Sequence, residues 1–375
     1  MRSPEPSSGR DDANPKRLLV VGGGAVGSFL GTLLALAGHD VTLVRPFGPG
    51  HGTGPIALVG PGGARQSVVV HRVLRVEDAE APDLILVGVK MPMLRDALAP
   101  TLRWPRVPTL TVQNGIGAEE IAAELRPDAP RLAASLTAPI ELTPSDEVHW
   151  LGRGGIGLAA VNDAAAPLVG GLVADFQRAG LRASELPVAE SMKWSKLVAN
   201  LMANATGAIL DMDAAAIYRD RRLFAVEKAQ LREAIAVMDR QGLRPVALPR
   251  AAVPWVSRAV RLPSWLVRPI LTRVVGGARG SKLPSLRLQM QSLGSAAASE
   301  PTEAVWMNGA VARYGRELGV ATPVNARLAE LVEDVAAHPD RREWFRRNPE
   351  RRLAELAEPI EPIERPDSPV PSGPR

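Results

Sequence analysis

The chain has 375 residues, of which 46% are hydrophobic and 23% are charged, and its formal net charge is +5. This balance is typical of a globular protein, and the length exceeds the ~250–300 residues at which one hydrophobic core stops growing, so we expect two domains. Cysteine is absent, which excludes disulfides and thiolate chemistry, and the five histidines never fall at metal-ligand spacing, so we predict no metal site.

The N-terminal residues 1–16, MRSPEPSSGRDDANPK, lack the apolar segment of a signal peptide and are predicted to be a disordered tail. Residues 18–38 are uncharged and contain GxxxG spacings, so a membrane-spanning helix is one alternative. The glycines crowd the first third of this stretch, however, and the β-like HDVTLV follows it directly. A strand, a glycine turn and a helix explain the residues better. We therefore predict a cytoplasmic protein that contacts no membrane.

The segment RLLVVGGGAVGSFLGTLLALAGHDVTLVRP combines a β run, a GxGxxG turn, a helix with small and apolar faces, and a second β run. Inside a complete β-α-β unit, this glycine pattern indicates dinucleotide binding. The first glycine permits the tight turn, the second lets the backbone approach the pyrophosphate, and the third allows close helix–strand packing. The helix N-terminus offers its N–H groups to the phosphates. The residues predicted to bind the cofactor here are Gly22, Gly24, Ala25, Val26 and Gly27.

The choice of cofactor depends on the residue that ends the second strand. An NAD enzyme usually places an acidic residue there, about 20 residues beyond the motif, to bind the ribose hydroxyl. This chain has Arg45 at that position, whereas Asp40 lies at the start of the strand. A guanidinium suits the 2′-phosphate of NADP. The alternative is a solvated loop arginine, but the pattern favours NADP(H).

Two later β runs end in polar residues that can reach a ligand. APDLILVGVK ends in Lys90, and PTLTVQNGIG contains Asn114. In open parallel sheets ligands bind beyond the carboxyl ends of the strands, so both side chains are candidates for cofactor or substrate contact. The alternative for each is an ordinary polar loop residue without a ligand. Further β runs with Pro and Gly punctuation predict hairpins, and the whole of 17–183 is predicted to be one Rossmann-type domain.

From about residue 184 the sequence changes to long helical patterns rich in alanine and leucine, which predicts an all-α domain over 184–338. In KWSKLVANLMANATG, Lys196, Asn200 and Asn204 recur every fourth residue and would share one face of a helix. Burying polar groups is costly unless they find partners, so we expect the stripe to face a cleft between the two domains. A stripe that simply faces solvent is the alternative.

Residues 240–299 contain no acidic residue and ten arginines and lysines, with Trp255 and Trp265 interleaved. The pattern fits a basic lid or subunit contact, an amphipathic membrane surface, or an irregular helical pair with its tryptophans packed inward. Residues 339–375 are predicted to be a charged helix and then a Pro-rich tail. The interspersed glutamates favour a solvated helix face over nucleic-acid binding.

Six stretches, in order along the chain, resemble the signature sequences of the ketopantoate (2-dehydropantoate) reductases. They are GGGAVG, VGVK, VQNGIG, WSKLVANLMAN, KLPSL and PTEAVWMNGAVARYGRELGVATPVN, and the likeness runs from about residue 17 to 335. It implies an NADP-dependent oxidoreductase that reduces 2-dehydropantoate to pantoate in pantothenate and coenzyme A biosynthesis. Lys196 resembles the catalytic lysine and general acid, and Glu303 the glutamate that contacts the substrate hydroxyl.

The resemblance also assigns the other site residues. Asn200 and Asn204 resemble helix partners of the lysine at the substrate, and Ser285 resembles the serine that holds the substrate carboxylate. Arg45 matches the arginine beside the NADP phosphate, and Lys90 and Asn114 match polar residues near cofactor and substrate. The predicted partner is a small 2-oxo acid, without nucleic acid or membrane, and a homodimer is left open.

The chain departs from the family pattern near the substrate. Val305 stands where an acidic residue is usual, Leu288-Gln289-Met290 replaces a segment with an aspartate, and extra residues separate Ser285 from Glu303. These changes leave two alternatives open. One is reduction of another small 2-oxo acid, and the other is a non-catalytic NADPH-binding sensor.

Overall fold

The computed structural model describes residues 16–46, 51–279, 284–294 and 296–347. Within them the chain divides into two compact units. The first unit runs to Leu197 and includes Pro245–Val253, and the second consists of Val198–Arg244 and the described residues from Pro254 onward. The division falls later than the predicted boundary at residue 183, because Met192 packs into the core of the first unit against Ala133 and Ala159.

The strands of the described residues form one sheet in the first unit, in the order β11-β10-β7-β6-β5-β1-β2-β4-β3-β9-β8. The run from β4 to β7 is parallel throughout, and β3, β8 and β10 introduce antiparallel pairs. The strands are β1 (Arg17–Val21), β2 (Asp40–Val44), β3 (Gly52–Val59), β4 (Arg65–Val73), β5 (Leu84–Val87), β6 (Thr109–Thr111), β7 (Arg131–Leu136), β8 (Ile140–Leu142), β9 (Glu147–Trp150), β10 (Gly155–Ala160) and β11 (Arg182–Glu185).

The helices of the first unit follow the strands as the alternating pattern predicts. They are α1 (Ala25–Leu36), α2 (Leu94–Leu98), α3 (Ala118–Leu125), α4 (Ala166–Arg178) and the first part of α5 (Ala189–Leu201), with short 3-10 turns at Val76–Asp78, Met91–Met93, Ala99–Arg103 and Asp163–Ala165. Leu18–Val21 and Leu84–Val87 are buried throughout, as expected for parallel strands covered on both faces. Phe29 of α1 and Phe176 of α4 pack into the same core. The predicted Rossmann-type domain is therefore confirmed.

The turn of the hairpin formed by β8 and β9 carries the carboxylate of Asp146. This turn is closed by Asp146 N–H to Thr143 O, at 3.1 Å, and by Thr143 N–H to Glu147 O, at 3.0 Å. Asp146 has φ of 65°, in the left-handed region that aspartate tolerates better than most residues. In the sheet, β2, β4, β3, β9 and β8 follow one another on one side of β1. The hairpin turn therefore lies on the same side of β1 as β2.

The second unit is helical, as predicted. Its helices are the end of α5, then α6 (Ala205–Leu210), α7 (Ala214–Arg219), α8 (Arg221–Arg240), α9 (Val253–Ala259), α10 (Ser264–Arg279), α11 (Ser285–Leu293), α12 (Asn308–Leu318), α13 (Pro323–Ala337) and α14 (Pro339–Arg347), with a 3-10 turn at Glu303–Trp306. The Asp220 side chain caps α8 by accepting hydrogen bonds from Arg222 N and Leu223 N. None of the helices among the described residues is long and apolar enough to cross a membrane.

The helix that carries Lys196 is shorter than predicted. We expected one helix from Lys196 through Asn204, but α5 ends at Leu201 and Ala203 has φ of 51°. The Ala203 N–H turns away from the helix and donates to the Glu227 carboxylate at 2.8 Å. Asn204 therefore precedes α6 and does not continue the face of α5. The expectation of a single three-residue stripe was wrong.

The acid-free segment contains the helical pair that one alternative predicted, but its tryptophans do not pack inward. Val256 and Val267 are buried, whereas Trp265 is 78% exposed and Trp255 is 39% exposed. In the C-terminal part, α14 agrees with the predicted charged helix. Residues 1–15 of the predicted N-terminal tail and the Pro-rich tail lie outside the described residues, as do Lys282 and Leu283 of KLPSL.

Candidate active site

The glycine loop joins β1 to α1 and is shaped by close backbone contacts. Gly22 has φ of 106°, and a Cβ there would lie 2.8 Å from Val89 N. A Cβ at Gly27 would lie 1.9 Å from the Gly22 carbonyl oxygen, so α1 crosses the loop too closely for a side chain. At Gly24 the added Cβ would meet no described atom within 4 Å. The loop is thus open at Gly24, where Ala25 and Val26 begin the helix and leave their N–H groups without intrahelical acceptors.

The loops after β1, β5 and β6 meet at the carboxyl edge of the sheet. Gly22 contacts Val89, and Gln113 donates from Nε2 to Val87 O at 2.7 Å and to Val89 O at 3.1 Å. Lys90 and Asn114 directly follow Val89 and Gln113, so both lie in the loops that meet at this edge. The connection after β1 leads to β2 on one side, and the connection after β5 leads to β6 on the other side. The edge between β1 and β5 is therefore the topological switch point, where ligands bind in such sheets.

Arg45 lies against the glycine loop, at the end of β2. A Cβ added to Gly23 would lie 2.9 Å from Arg45 Cγ, so the arginine stem covers that glycine. Arg45 Nη1 donates to Asp146 Oδ1, and Arg72 Nη2 of β4 lies 3.2 Å from Asp146 Oδ2. Sequence reasoning identified Arg45 but missed Arg72 and Asp146. Two charged residues far apart in the sequence do not by themselves indicate contact.

Lys193 is a third residue that sequence reasoning missed. Its side chain is 4% exposed, and its Nζ donates to Gln113 O at 2.6 Å and lies 3.1 Å from Glu119 Oε1. The Thr111 hydroxyl donates to the same carboxylate oxygen at 2.8 Å. The lysine therefore holds the main chain immediately before Asn114. A lysine flanked by Met192 and Trp194 was the available signal.

Lys196 lies one turn after Lys193 on α5 and is half-buried. The opposite side of the helix is fixed, because Trp194 and Leu197 are buried and Ser195 Oγ accepts from Val246 N at 2.8 Å. Asn200 follows Lys196 by four residues and is also half-buried, so these two side chains share one face of α5. That part of the predicted stripe agrees with the structure.

In the second unit Asn204 and Ser285 are in contact. Asn204 is 3% exposed and its Nδ2 lies 3.3 Å from Ser285 Oγ, while its Oδ1 accepts from Leu286 N at 3.1 Å. The asparagine therefore caps the start of α11 and orients the serine. Glu303 is half-buried at the start of its 3-10 turn, where its N–H points to Gln289 Oε1 at 3.5 Å. Both Ser285 and Glu303 are thus positioned through α11.

The substitutions noted in the sequence lie beside these residues. Leu288 is 53% exposed and Val305 is 39% exposed, so two apolar side chains reach the surface near Ser285 and Glu303. Within the described ranges no group of three or more His, Asp or Glu side chains could hold a metal ion.

Two family models match the chain. The model described as ketopantoate reductase PanE/ApbA matches residues 18–163, and the one described as ketopantoate reductase PanE/ApbA C terminal matches residues 189–336. Together they span more than half of the chain. The first covers the glycine loop and the strands from β1 to β10, and the second covers the helices with Lys196, Ser285 and Glu303.

Curated relatives carry the same enzyme name. A 2-dehydropantoate 2-reductase of Pyrococcus horikoshii is 29% identical over 231 residues, which is 61% of this chain and 75% of the relative. A 2-dehydropantoate 2-reductase of Archaeoglobus fulgidus is 27% identical over 324 residues, which is 85% of this chain and 98% of the relative.

Solved structures share the fold. The 2-dehydropantoate 2-reductase of Geobacter metallireducens GS-15 has a TM-score of 0.69 at 25% identity, covering 85% of this chain and 99% of that one. A ternary structure of D-mandelate dehydrogenase with NADH and anilino(oxo)acetate has a TM-score of 0.69 at 21% identity, covering 88% of this chain and 99% of that one. The second likeness concerns the fold alone.

Proposed function

Because this chain belongs to the ketopantoate reductase family PanE/ApbA, we propose that it is an NADPH-dependent 2-dehydropantoate 2-reductase. The reaction would supply pantoate for pantothenate and coenzyme A biosynthesis. The observation that carries the proposal is the carboxyl edge of the sheet, where the glycine loop contacts the loop of Lys90, which in turn contacts the loop of Asn114. Curated relatives named 2-dehydropantoate 2-reductase support the substrate.

The residues present fit a dinucleotide. The loop is open at Gly24 and closed at Gly22 and Gly27, and its backbone N–H groups at Ala25 and Val26 suit a pyrophosphate. Arg45 lies on the loop at the position that contacts the adenosine ribose in this fold, which supports a 2′-phosphate and hence NADP(H). The bound nicotinamide supplies the hydride.

Lys196 is proposed as the general acid. When a ketone carbon accepts hydride, negative charge grows on its oxygen, and a positioned ammonium stabilises that charge and then donates a proton. The buried residues of α5 and the bond from Val246 N to Ser195 Oγ hold the helix in place, which supports a set position for Lys196 and Asn200. Lys193 holds the main chain before Asn114, which supports a contact of the asparagine amide with cofactor or substrate.

Ser285, Asn204 and Glu303 are proposed to act on the substrate in different ways. The Ser285 hydroxyl can donate to a carboxylate, and Asn204 orients that hydroxyl from its buried position. The Glu303 carboxylate can accept a hydrogen bond from a substrate hydroxyl. Ser285 begins α11 and the Glu303 main chain contacts Gln289 of the same helix, which supports a shared site despite the extra residues between them.

The proposal is tested by following NADPH oxidation with 2-dehydropantoate and with a panel of other 2-oxo acids. We expect fast turnover of 2-dehydropantoate, and a loss of about 10²–10⁴-fold in kcat for Lys196→Ala, which is the usual contribution of a general acid. Lys228→Ala, a change of a half-buried lysine on α8 that bonds Leu262 O, is the matched control and should retain full activity. A Lys196→Ala enzyme as fast as wild type would remove the lysine from the mechanism.

A second candidate function is reduction of another small 2-oxo acid. The exposed Leu288 and Val305 favour it, because Val305 stands where the family pattern has an acidic residue and Leu288 lies in the segment that replaces one with an aspartate. Faster turnover of an apolar 2-oxo acid than of 2-dehydropantoate in the same panel identifies this case. Tight NADPH binding without turnover of any ketone identifies a sensor instead.

A further inference from the structure

Two arginines from neighbouring strands share one carboxylate beside the glycine loop. Arg45 follows β2, Arg72 lies in β4, and Asp146 lies in the turn between β8 and β9. The side chains of the three residues are 15%, 7% and 12% exposed respectively. Charges so far removed from water interact more strongly than surface pairs, because solvent screens them less.

The cluster has more donors than the carboxylate can use. Arg72 Nη2 donates to Pro55 O at 2.8 Å and lies 3.2 Å from Asp146 Oδ2, but its buried Nε has no hydrogen-bond partner among the described residues. Two positive charges against one negative charge leave the cluster with a net charge of about +1. A buried donor without an acceptor is costly, so the cluster is suited to a second anion.

We propose that Asp146 sets the preference between NADPH and NADH by occupying Arg45 and Arg72. The inference rests on the proposed function, since Arg45 stands where the adenosine ribose lies in this fold. A 2′-phosphate carries about −1.5 to −2 charges and competes with Asp146 for the same guanidinium groups. A 2′-hydroxyl carries no charge and can instead donate to the carboxylate. Asp146 therefore weakens discrimination in favour of the phosphorylated cofactor, and Arg72 strengthens it.

The turn offers a substitution that removes the charge alone. Asparagine has the shape of aspartate and tolerates the left-handed conformation that Asp146 adopts, so Asp146→Asn should leave the turn intact. Glu147 is the adjacent residue and gives a matched control. Its carboxylate pairs with Arg65 at 2.5 Å, and the side chain of Arg65 is 65% exposed. Glu147→Gln therefore removes the same charge from the same turn without touching the arginine pair.

The experiment measures binding of adenosine 2′,5′-bisphosphate against adenosine 5′-monophosphate by calorimetry, on the full chain. The two probes differ only by the 2′-phosphate and undergo no reaction. We expect Asp146→Asn to raise the preference for the bisphosphate about tenfold and Glu147→Gln to change it less than about twofold. Arg72→Gln should lower the preference about tenfold, with the unfolding midpoint measured alongside to confirm that the variant is folded.

An unchanged preference in Asp146→Asn, an equal change in Glu147→Gln, or no binding of the bisphosphate to any of the proteins overturns the inference. Turnover of 2-dehydropantoate is measured on the same preparations. A tenfold change in the preference for the bisphosphate, without turnover of 2-dehydropantoate, contradicts the proposed substrate and supports the role of Asp146. Turnover without the response supports the reductase and contradicts the role of Asp146.

Discussion

At the scale of single residues, Gly24 and Gly27 show that two positions of one motif can carry different constraints. An alanine Cβ at Gly27 would overlap the Gly22 carbonyl oxygen, which belongs to the backbone and cannot rotate away. At Gly24 the same Cβ would occupy open space, and the φ of −76° is one that alanine readily adopts. The third glycine therefore serves packing, and the second serves approach to the loop.

We expect Gly27→Ala to lower the free energy of unfolding by about 1–3 kcal/mol, the usual cost of overpacking. Gly24→Ala should change it by less than about 0.5 kcal/mol but weaken NADPH binding at least about tenfold, because its methyl group fills the space that a phosphate needs. Urea unfolding and NADPH titration separate the two effects. Equal losses of stability in the two variants would contradict this assignment.

At the scale of elements, Glu227 of α8 determines where α5 ends. The carboxylate is fully buried and accepts from Ala203 N at 2.8 Å, from Thr206 Oγ1 at 2.6 Å and from Tyr218 OH at 3.1 Å. The left-handed backbone at Ala203 costs about 1–2 kcal/mol, which this acceptor offsets. By stopping the helix there, Glu227 turns Asn204 towards α11 and Ser285.

Glu227→Gln should destabilise the protein by about 2–3 kcal/mol, because the buried hydrogen bonds to the carboxylate lose their charge assistance and one acceptor oxygen is replaced. Tyr218→Phe is the milder companion and should cost about 1 kcal/mol, since it removes a single hydrogen bond. Chemical denaturation gives both values. If Glu227→Gln were as stable as wild type, the carboxylate would not be what ends α5.

At the scale of the whole molecule, stability depends on how distant segments satisfy buried polar groups. Glu233 of α8 accepts from Val324 N and Asn325 N, each at 2.9 Å, and from Asn325 Nδ2 at 2.7 Å, and so fixes the start of α13. Burial raises the pKa of the Glu233 carboxyl above its ordinary 4.5, although these hydrogen bonds act in the opposite direction.

A carboxyl with a raised pKa binds its proton more tightly in the folded chain than in the unfolded chain. Its contribution to stability is therefore complete below pH 4.5 and is lost as the pH rises through the folded pKa. We expect Glu233→Gln to flatten the decline of the unfolding free energy above that pH, measured by urea unfolding between about pH 4 and 8. Glu330→Gln, which changes a side chain 69% exposed on α13, should leave the decline unchanged. If the unfolding free energy of Glu233→Gln fell with pH as steeply as that of the wild type, groups other than Glu233 would cause the decline.

The order of elements, the glycine loop and the position of Lys196 on a helix could be predicted from the sequence, because each depends on local patterns. Alternating strands and helices specify the parallel sheet, and a parallel sheet places Lys90 and Asn114 at one edge. Hydrophobic periodicity placed Lys196 and Asn200 on one face of α5. Each of these features depends on a pattern within a short segment, so it can be recognised from the local sequence.

Only the tertiary structure decided the contacts that join residues far apart in the chain. Asp146 meets Arg45 across 101 positions, Lys193 meets Gln113 O across 80, and Asn204 meets Ser285 across 81. The end of α5 belongs with them, since helical periodicity continues through Asn204 and a carboxylate from α8 overrides it. A buried charge or amide is satisfied by whichever partner the fold brings near it, and local sequence carries no record of that partner.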